Sequence, residues 1–169
     1  MPRRKTASAG ADFESWVRHA LKTIGFKNVG GGPNLRVGGH QIDCCAGWDD
    51  VLLVVECTQS GSERASIRNL ISEVRGKQSQ IKAGFRKLDG YQIYSRFVFA
   101  IATNIPINKS DQNLAKENPR VHLIDQQMLA YYERLKGIIQ RGALFNLLGE
   151  LAVEPHDLDL PGYRRSRLN

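Results

Sequence analysis

Residues 40–60, HQIDCCAGWDDVLLVVECTQS, carry the pattern that decides the fold. The run VLLVV at 51–55 is continuously apolar and mostly β-branched, which is typical of a strand buried on both faces. Residues 40–47 predict a strand before it, and the short turn after them predicts that the two strands pair as a hairpin. Asp43 and Glu56 interrupt these apolar strands. Since a buried, unpaired carboxylate costs several kcal/mol, each is expected to pair, to hydrogen-bond or to hold a metal ion.

The flanking sequence predicts an α/β fold with a mixed central sheet of four or five strands, flanked by helices and followed by C-terminal helices. Apolar residues recur at helical spacing from Phe13 to Ile24, and again across residues 63–88. GGGPNLRVGG at 30–39 is so rich in glycine that it predicts a turn or loop. The remaining segments predict two strands, SRFVFAIATN (95–104) and VHLID (121–125), and two helices, MLAYYERLKGII (128–139) and ALFNLLGEL (143–151).

The length of 169 residues favours one domain. Its divisions are predicted as a basic arm at 1–10, a core at 11–125, a helical extension of the same domain at 126–155, and a tail or linker at 156–169. The unpatterned tail suggests a module of a longer protein.

Membrane and secreted classes are disfavoured, because no apolar run reaches the roughly 18 residues of a membrane span and no secretory signal is legible. A cytoplasmic protein is expected. The three cysteines do not form a disulfide framework or a CxxC metal motif. A net charge of +7 favours a polyanionic partner, for which double-stranded DNA is the first candidate, although excess charge also serves solubility.

Two carboxylates at neighbouring strand ends repel each other, and a hard divalent cation relieves that repulsion. Mg²⁺ or Mn²⁺ so held lowers the pKa of bound water and stabilises phosphate oxygens, which is the chemistry of phosphodiester hydrolysis. The alternative for Asp43 and Glu56 is that backbone donors or arginines satisfy them without any metal.

The segments GADFESWVRHALKTIGF (10–26), GGHQIDCCAG (38–47) and LLVVECTQS (52–60) occur in the order of a known family. Residues 10–104 resemble the PD-(D/E)XK superfamily of restriction-endonuclease-like nucleases, particularly its Mrr and Holliday-junction-resolvase branch. The resemblance implies that Asp43 and Glu56 are the metal ligands and that the main-chain carbonyl of Cys57 completes the coordination. It also matches Glu14 to an acidic residue near the metal, although acidic residues in a first helical turn are favoured by the helix dipole whatever the function.

The sequence departs from the family at Thr58, which stands where the family has a catalytic lysine. Loss of such a charge at an oxyanion-type site costs about 10²-fold in rate. Some members of the superfamily carry the lysine on the following helix, where helical spacing puts Lys77 on one flank. Arg68, in the first turns of that helix, is expected to be the nearest charge donor to the carboxylates, and Gln59 is a further polar candidate. The opposite flank carries a basic row that contacts DNA or is solvated: Arg64, Arg68, Arg75, Lys82 and Arg86.

The sequence therefore predicts a metal-dependent DNA endonuclease domain of a restriction or anti-phage system, which works as a homodimer because two strands must be cut. The alternative is a degenerate nuclease fold that binds DNA or mediates assembly without cleavage. Salt-sensitive DNA binding without cleavage would favour the degenerate fold over the active endonuclease.

Overall fold

The computed structural model describes residues 5–59, 66–139 and 142–151. The elements in chain order are α1 (Lys5–Ile24), β1 (Lys27–Val37), β2 (His40–Trp48), β3 (Val51–Thr58), α2 (Ile67–Phe85), β4 (Arg96–Thr103), α3 (Lys109–Lys116), β5 (His122–Asp125), α4 (Gln126–Ile139) and α5 (Gly142–Glu150). Among the helices of these ranges, none is long and apolar enough to cross a membrane.

The five strands form one mixed sheet in the order β1-β2-β3-β4-β5, so the predicted architecture is confirmed. β1, β2 and β3 are antiparallel neighbours, whereas β3, β4 and β5 run parallel. The predicted hairpin is also confirmed, since β2 pairs with β3 from Cys44↔Val55 to Trp48↔Val51. β3 is the central strand and therefore needs apolar side chains on both faces.

Two helical layers cover the two faces of the sheet. On one face, α1, α4 and α5 enclose a core that includes Leu53 and Val55 of β3. On the other face, α2 packs against Leu52 and Val54, which alternate with the first set along the strand. These two cores explain the uninterrupted apolar run at 51–55.

The prediction of a turn or loop at residues 30–39 was wrong for residues 30–37, because β1 extends through Val37 and pairs with β2, whereas residues 38–39 do form a turn. The pairing register shifts at three points, so β1 is a bulged strand, and a bulged strand loses the period-two pattern by which strands are recognised. Gly31 has φ +130, and a Cβ there would lie 2.3 Å from the carbonyl oxygen of Asp43. Glycine is required at this position because β1 passes directly against the backbone of β2.

Two helices have different bounds from those predicted, and one helix was not predicted. α1 already begins at Lys5, inside the stretch expected to be a basic arm. α2 ends at Phe85 and its N-cap is Ser66, whose hydroxyl accepts from the Asn69 amide; residues 63–65 of the predicted helix lie outside the described ranges. α3 was not predicted, although Asn108 and Asp111 form a capping box that is readable in the sequence.

The stability of the fold is expected to fall below about pH 6.5 because of His122. Burial, with a smaller contribution from Arg120, lowers the pKa of His122 from 6.5 to about 4. Between these two values the unfolded chain binds the proton better, so stability from the neutral imidazole is complete above pH 6.5 and lost as the pH falls towards 4. One pKa unit corresponds to about 1.4 kcal/mol, so the drop from 6.5 to about 4 sets an upper limit of about 3.5 kcal/mol, which solvent reduces at this half-buried side chain.

The measurement is urea unfolding at pH 7 and pH 4.5 for the wild type and for His122→Asn. Carboxylates titrate in both proteins, so the difference between them isolates the histidine. A loss of stability in His122→Asn as large as that in the wild type would contradict the assignment.

Candidate active site

Asp43 and Glu56 lie side by side on neighbouring strands. The β2–β3 ladder ends at Cys44↔Val55, directly before Asp43 leaves the pairing and Glu56 follows, and both carboxylates line the same cleft. Asp43 is buried, and its Oδ2 accepts a hydrogen bond of 2.9 Å from the backbone N–H of Cys57. The side chain of Glu56 is 16% exposed. Two acidic groups are therefore held together at the start of β2 and the end of β3.

Helix α1 adds a third acidic group, Glu14, and an arginine, Arg18, to this edge of the sheet. Arg18 Nη1 donates to the main-chain carbonyl of Asp43 at 2.7 Å and lies 3.7 Å from Glu14 Oε2. Burial raises the pKa of Glu14, the negative charge of Asp43 raises it further, and Arg18 opposes both effects. Glu14 is thus close enough to Asp43 for the two carboxylates to interact electrostatically. Arg18 was missed in the sequence, where its i,i+4 spacing from Glu14 was the available signal.

Lys77 brings a positive charge to Glu56 from helix α2. Its Nζ lies 3.9 Å from Glu56 Oε2 and 2.5 Å from Glu73 Oε1. Alternation along β3 places Thr58 on the same face as Glu56, and α2 covers that face. A lysine on α2 consequently reaches the carboxylate that a lysine at position 58 would approach. A small cleft between β2, β3 and α2 brings together polar residues at its lining: Gln41, Asp43, Glu56 and Lys77.

The other predicted residues of β3 have more limited roles. Thr58 is buried beside Thr103 of β4 and supplies a neutral hydroxyl. Burial raises the pKa of the Cys57 thiol well above its usual value, which disfavours the thiolate, and the backbone N–H of Cys57 donates to Asp43. Gln59 follows the end of β3 and is half-buried.

The basic row of α2 lies on the flank that faces α3 and β4, opposite to Lys77. Arg68 donates to Ser110 Oγ at 3.0 Å, and Arg75 donates to the carbonyls of Leu114, Glu117 and Pro119. Lys82 and Arg86 lie over the rings of Phe99 and Phe97 at 5.6 Å and 6.0 Å from the ring centroids. Arg64 lies outside the described residues. Arg75 therefore anchors the loop after α3, and Arg68 is held by α3.

The carboxylate oxygens of Asp43 and Glu56 are suitable ligands for magnesium or manganese at a site with few protein ligands. Within the ranges that the structure describes, no group of three or more His, Cys, Asp or Glu side chains is arranged to hold a metal ion. Mg²⁺ is commonly held by one or two carboxylates, with water and substrate phosphates completing its shell. Asp43 and Glu56 fit that pattern, with hard oxygen donors and no soft thiolate.

Comparison with solved structures identifies the fold. The small subunit of the heterodimeric restriction endonuclease R.BspD6I superposes with a TM-score of 0.53 over 84% of this chain and 77% of its own, at 16% sequence identity. The chain has a restriction-endonuclease-like fold. No protein-family model and no curated protein matches the sequence.

A second structure with this restriction-endonuclease-like fold is Can2 from Sulfobacillus thermosulfidooxidans in complex with cyclic tetra-adenylate. The TM-score is 0.53 at 16% identity over 75% of this chain. The chain spans 35% of the length of Can2, so it corresponds to one part of that protein. At these identities the two likenesses establish the fold, while the chemistry of the site depends on the residues of this chain.

Proposed function

We propose that this chain is a metal-dependent endonuclease domain that hydrolyses phosphodiester bonds of double-stranded DNA. The observation that carries the proposal is the position of Lys77 Nζ, 3.9 Å from Glu56 Oε2 and in the same cleft as Asp43. Two carboxylates and an ammonium group are the groups that the resemblance to PD-(D/E)XK nucleases requires. Here the ammonium comes from α2, which compensates for Thr58.

In this proposal Asp43 and Glu56 would hold Mg²⁺ or Mn²⁺, with the main-chain carbonyl of Cys57 as a further ligand. Glu14 would act on the metal only through water, because in the described part of the chain these three carboxylates are not arranged as a metal-binding group. The bound metal supplies a polarised water molecule and a Lewis acid for the phosphate oxygens. The Cys57 amide and Arg18 hold the side chain and backbone of Asp43 in one orientation, so little reorganisation is needed when substrate arrives. The ammonium of Lys77 stabilises negative charge that develops on the phosphate.

DNA is the proposed substrate because the chain carries a net charge of +7, and lysine and arginine gain affinity by releasing phosphate counterions. Arg68, Lys82 and Arg86 are proposed phosphate contacts at the flank of α2, with Arg64 as a fourth. Arg75 contributes to that surface indirectly, by holding the loop after α3. A homodimer that cuts both strands, within a restriction or anti-phage system, is the proposed setting.

The experiment is cleavage of supercoiled plasmid with Mg²⁺ or Mn²⁺ at low salt by the wild type, Asp43→Asn and Glu56→Gln. Nicking or linearisation by the wild type is expected, with at least about a 10²-fold lower rate in each variant, because each removes a metal ligand. Asp89→Asn is the matched control: its carboxylate is exposed, accepts a hydrogen bond from Gln92, and changes the net charge equally.

If the wild type binds DNA in a salt-dependent way but does not cut it with either metal, the proposal of an active endonuclease is wrong. The chain would then be the degenerate binding domain. Equal activity in all four proteins would instead indicate a contaminating nuclease.

A further inference from the structure

The ammonium of Lys77 is held between two carboxylates, of which Glu73 is the nearer. Nζ lies 2.5 Å from Glu73 Oε1 and 3.9 Å from Glu56 Oε2. Only 19% of the lysine side chain is exposed, compared with 38% of Glu73. The ammonium therefore lies between the more buried carboxylate of Glu56 and the more exposed carboxylate of Glu73.

The spacing along α2 explains why Glu73 binds the ammonium of Lys77 more closely than Glu56 does. Glu73 precedes Lys77 by one helical turn on α2, which is the favourable i,i+4 order for an acid and a base. A lysine side chain loses rotamer entropy when it is fixed. A direct charge-assisted hydrogen bond to Glu73 restricts those rotamers, whereas 3.9 Å to Glu56 is beyond hydrogen-bond distance.

The charges of the site give Glu73 a second role when a divalent cation is bound. A cation on Asp43 and Glu56 neutralises Glu56 and repels the ammonium of Lys77. Glu73 then remains as the carboxylate that attracts the lysine. With Arg18 paired to Glu14 and a divalent cation offsetting Asp43 and Glu56, Glu73 would supply the negative charge opposite Lys77.

We propose that Glu73 is a positioning residue that keeps the Lys77 ammonium at the phosphate-binding cleft while a divalent cation occupies Asp43 and Glu56. This inference rests on the proposed nuclease function. Glu73 acts through Lys77 and does not itself contact the reacting atoms. Its replacement is therefore expected to matter only when Lys77 is present.

The test is steady-state plasmid cleavage by Glu73→Gln, Lys77→Met and the double variant. Glu73→Gln is expected to lower kcat about tenfold with KM nearly unchanged, because a misplaced charge weakens the transition state more than substrate binding. In the Lys77→Met background, Glu73→Gln is expected to have no further effect. Glu73→Asp, which retains the charge on a shorter side chain, should recover part of the rate.

Asp89→Asn is the matched control, because it removes an exposed carboxylate that accepts a hydrogen bond from Gln92 and changes the net charge equally. It is expected to cleave like the wild type. Equal rates for Glu73→Gln and the wild type would overturn the inference, as would an equal loss in the presence and absence of Lys77.

A crystal structure of Glu73→Gln provides a readout that needs no activity. In crystals soaked with Mg²⁺, the expected result is that Lys77 Nζ moves out of ion-pair distance of Glu56, and an Nζ position unchanged from that in Mg²⁺-soaked wild type would overturn the inference. If the wild type fails to cut DNA, the proposed function is wrong, while this structure still reports whether Glu73 positions the lysine.

Discussion

Replacing Lys77 with methionine is expected to lower the rate of DNA cleavage by about 10²-fold or more, while DNA affinity and thermal stability change little. Methionine preserves much of the aliphatic volume of lysine and removes its charge. The charge matters because the amine of Lys77 reaches Glu56, at 3.9 Å. The measurement is single-turnover cleavage with saturating protein, which separates the chemical step from binding.

Lys87→Met is the matched control for this substitution. Lys87 is exposed just beyond the end of α2, so the variant changes net charge by the same amount without touching the cleft. A Lys77→Met protein that cuts at the wild-type rate would mean that the missing charge comes from elsewhere, and Arg68 would be the next residue to replace.

Gly31→Ala is expected to destabilise the fold by about 3 to 5 kcal/mol, because two separate costs coincide at this position. Its φ of +130 is rarely adopted by residues with a side chain. In addition, the new Cβ would lie 2.3 Å from the Asp43 carbonyl oxygen and 2.8 Å from Cα of Cys44. Both obstacles are backbone atoms, so no side-chain rotation relieves them. Urea unfolding followed by circular dichroism gives the free energy.

Gly39→Ala separates the two costs, because Gly39 has φ +86 but nothing within 4 Å of a built Cβ. We expect a loss of about 1 to 2 kcal/mol there, from backbone strain alone. If Gly31→Ala is no more damaging than Gly39→Ala, β1 does not press against Asp43 as closely as the structure indicates.

Much of the fold could be predicted because β3 is buried on both faces and its neighbours carry strong apolar periodicity. The run at 51–55 identified the central strand, and the hairpin followed from the short turn before it. β1 could not be predicted in the same way, since bulges remove the alternation and glycines at 30–32 are required by backbone contact that depends on β2. α3 has only two buried residues, Asp111 and Ala115, so hydrophobic periodicity could not reveal it.

Some residues of the candidate site could be predicted from the sequence and others could not. Asp43 and Glu56 stand out because charges are unusual within apolar strands, and Lys77 could be placed on the correct flank by helical spacing. Arg18 and Glu73 could not be assigned, because an i,i+4 ion pair on a helix looks the same at a site and on a solvated surface. The choice between Arg68 and Lys77 depended on where α3 lies, since Ser110 of that unpredicted helix holds Arg68.

The site is assembled from both layers of the fold, with Arg18 and Glu14 contributed from one face of the sheet and Lys77 from the other. This arrangement orders events during synthesis, because the chain emerges from its N-terminus and the hairpin precedes α2. A nascent chain can pair β2 with β3 and dock α1 before residue 77 has been made. The carboxylates thus come together without their ammonium partner, and a truncated or half-folded product has an incomplete candidate site.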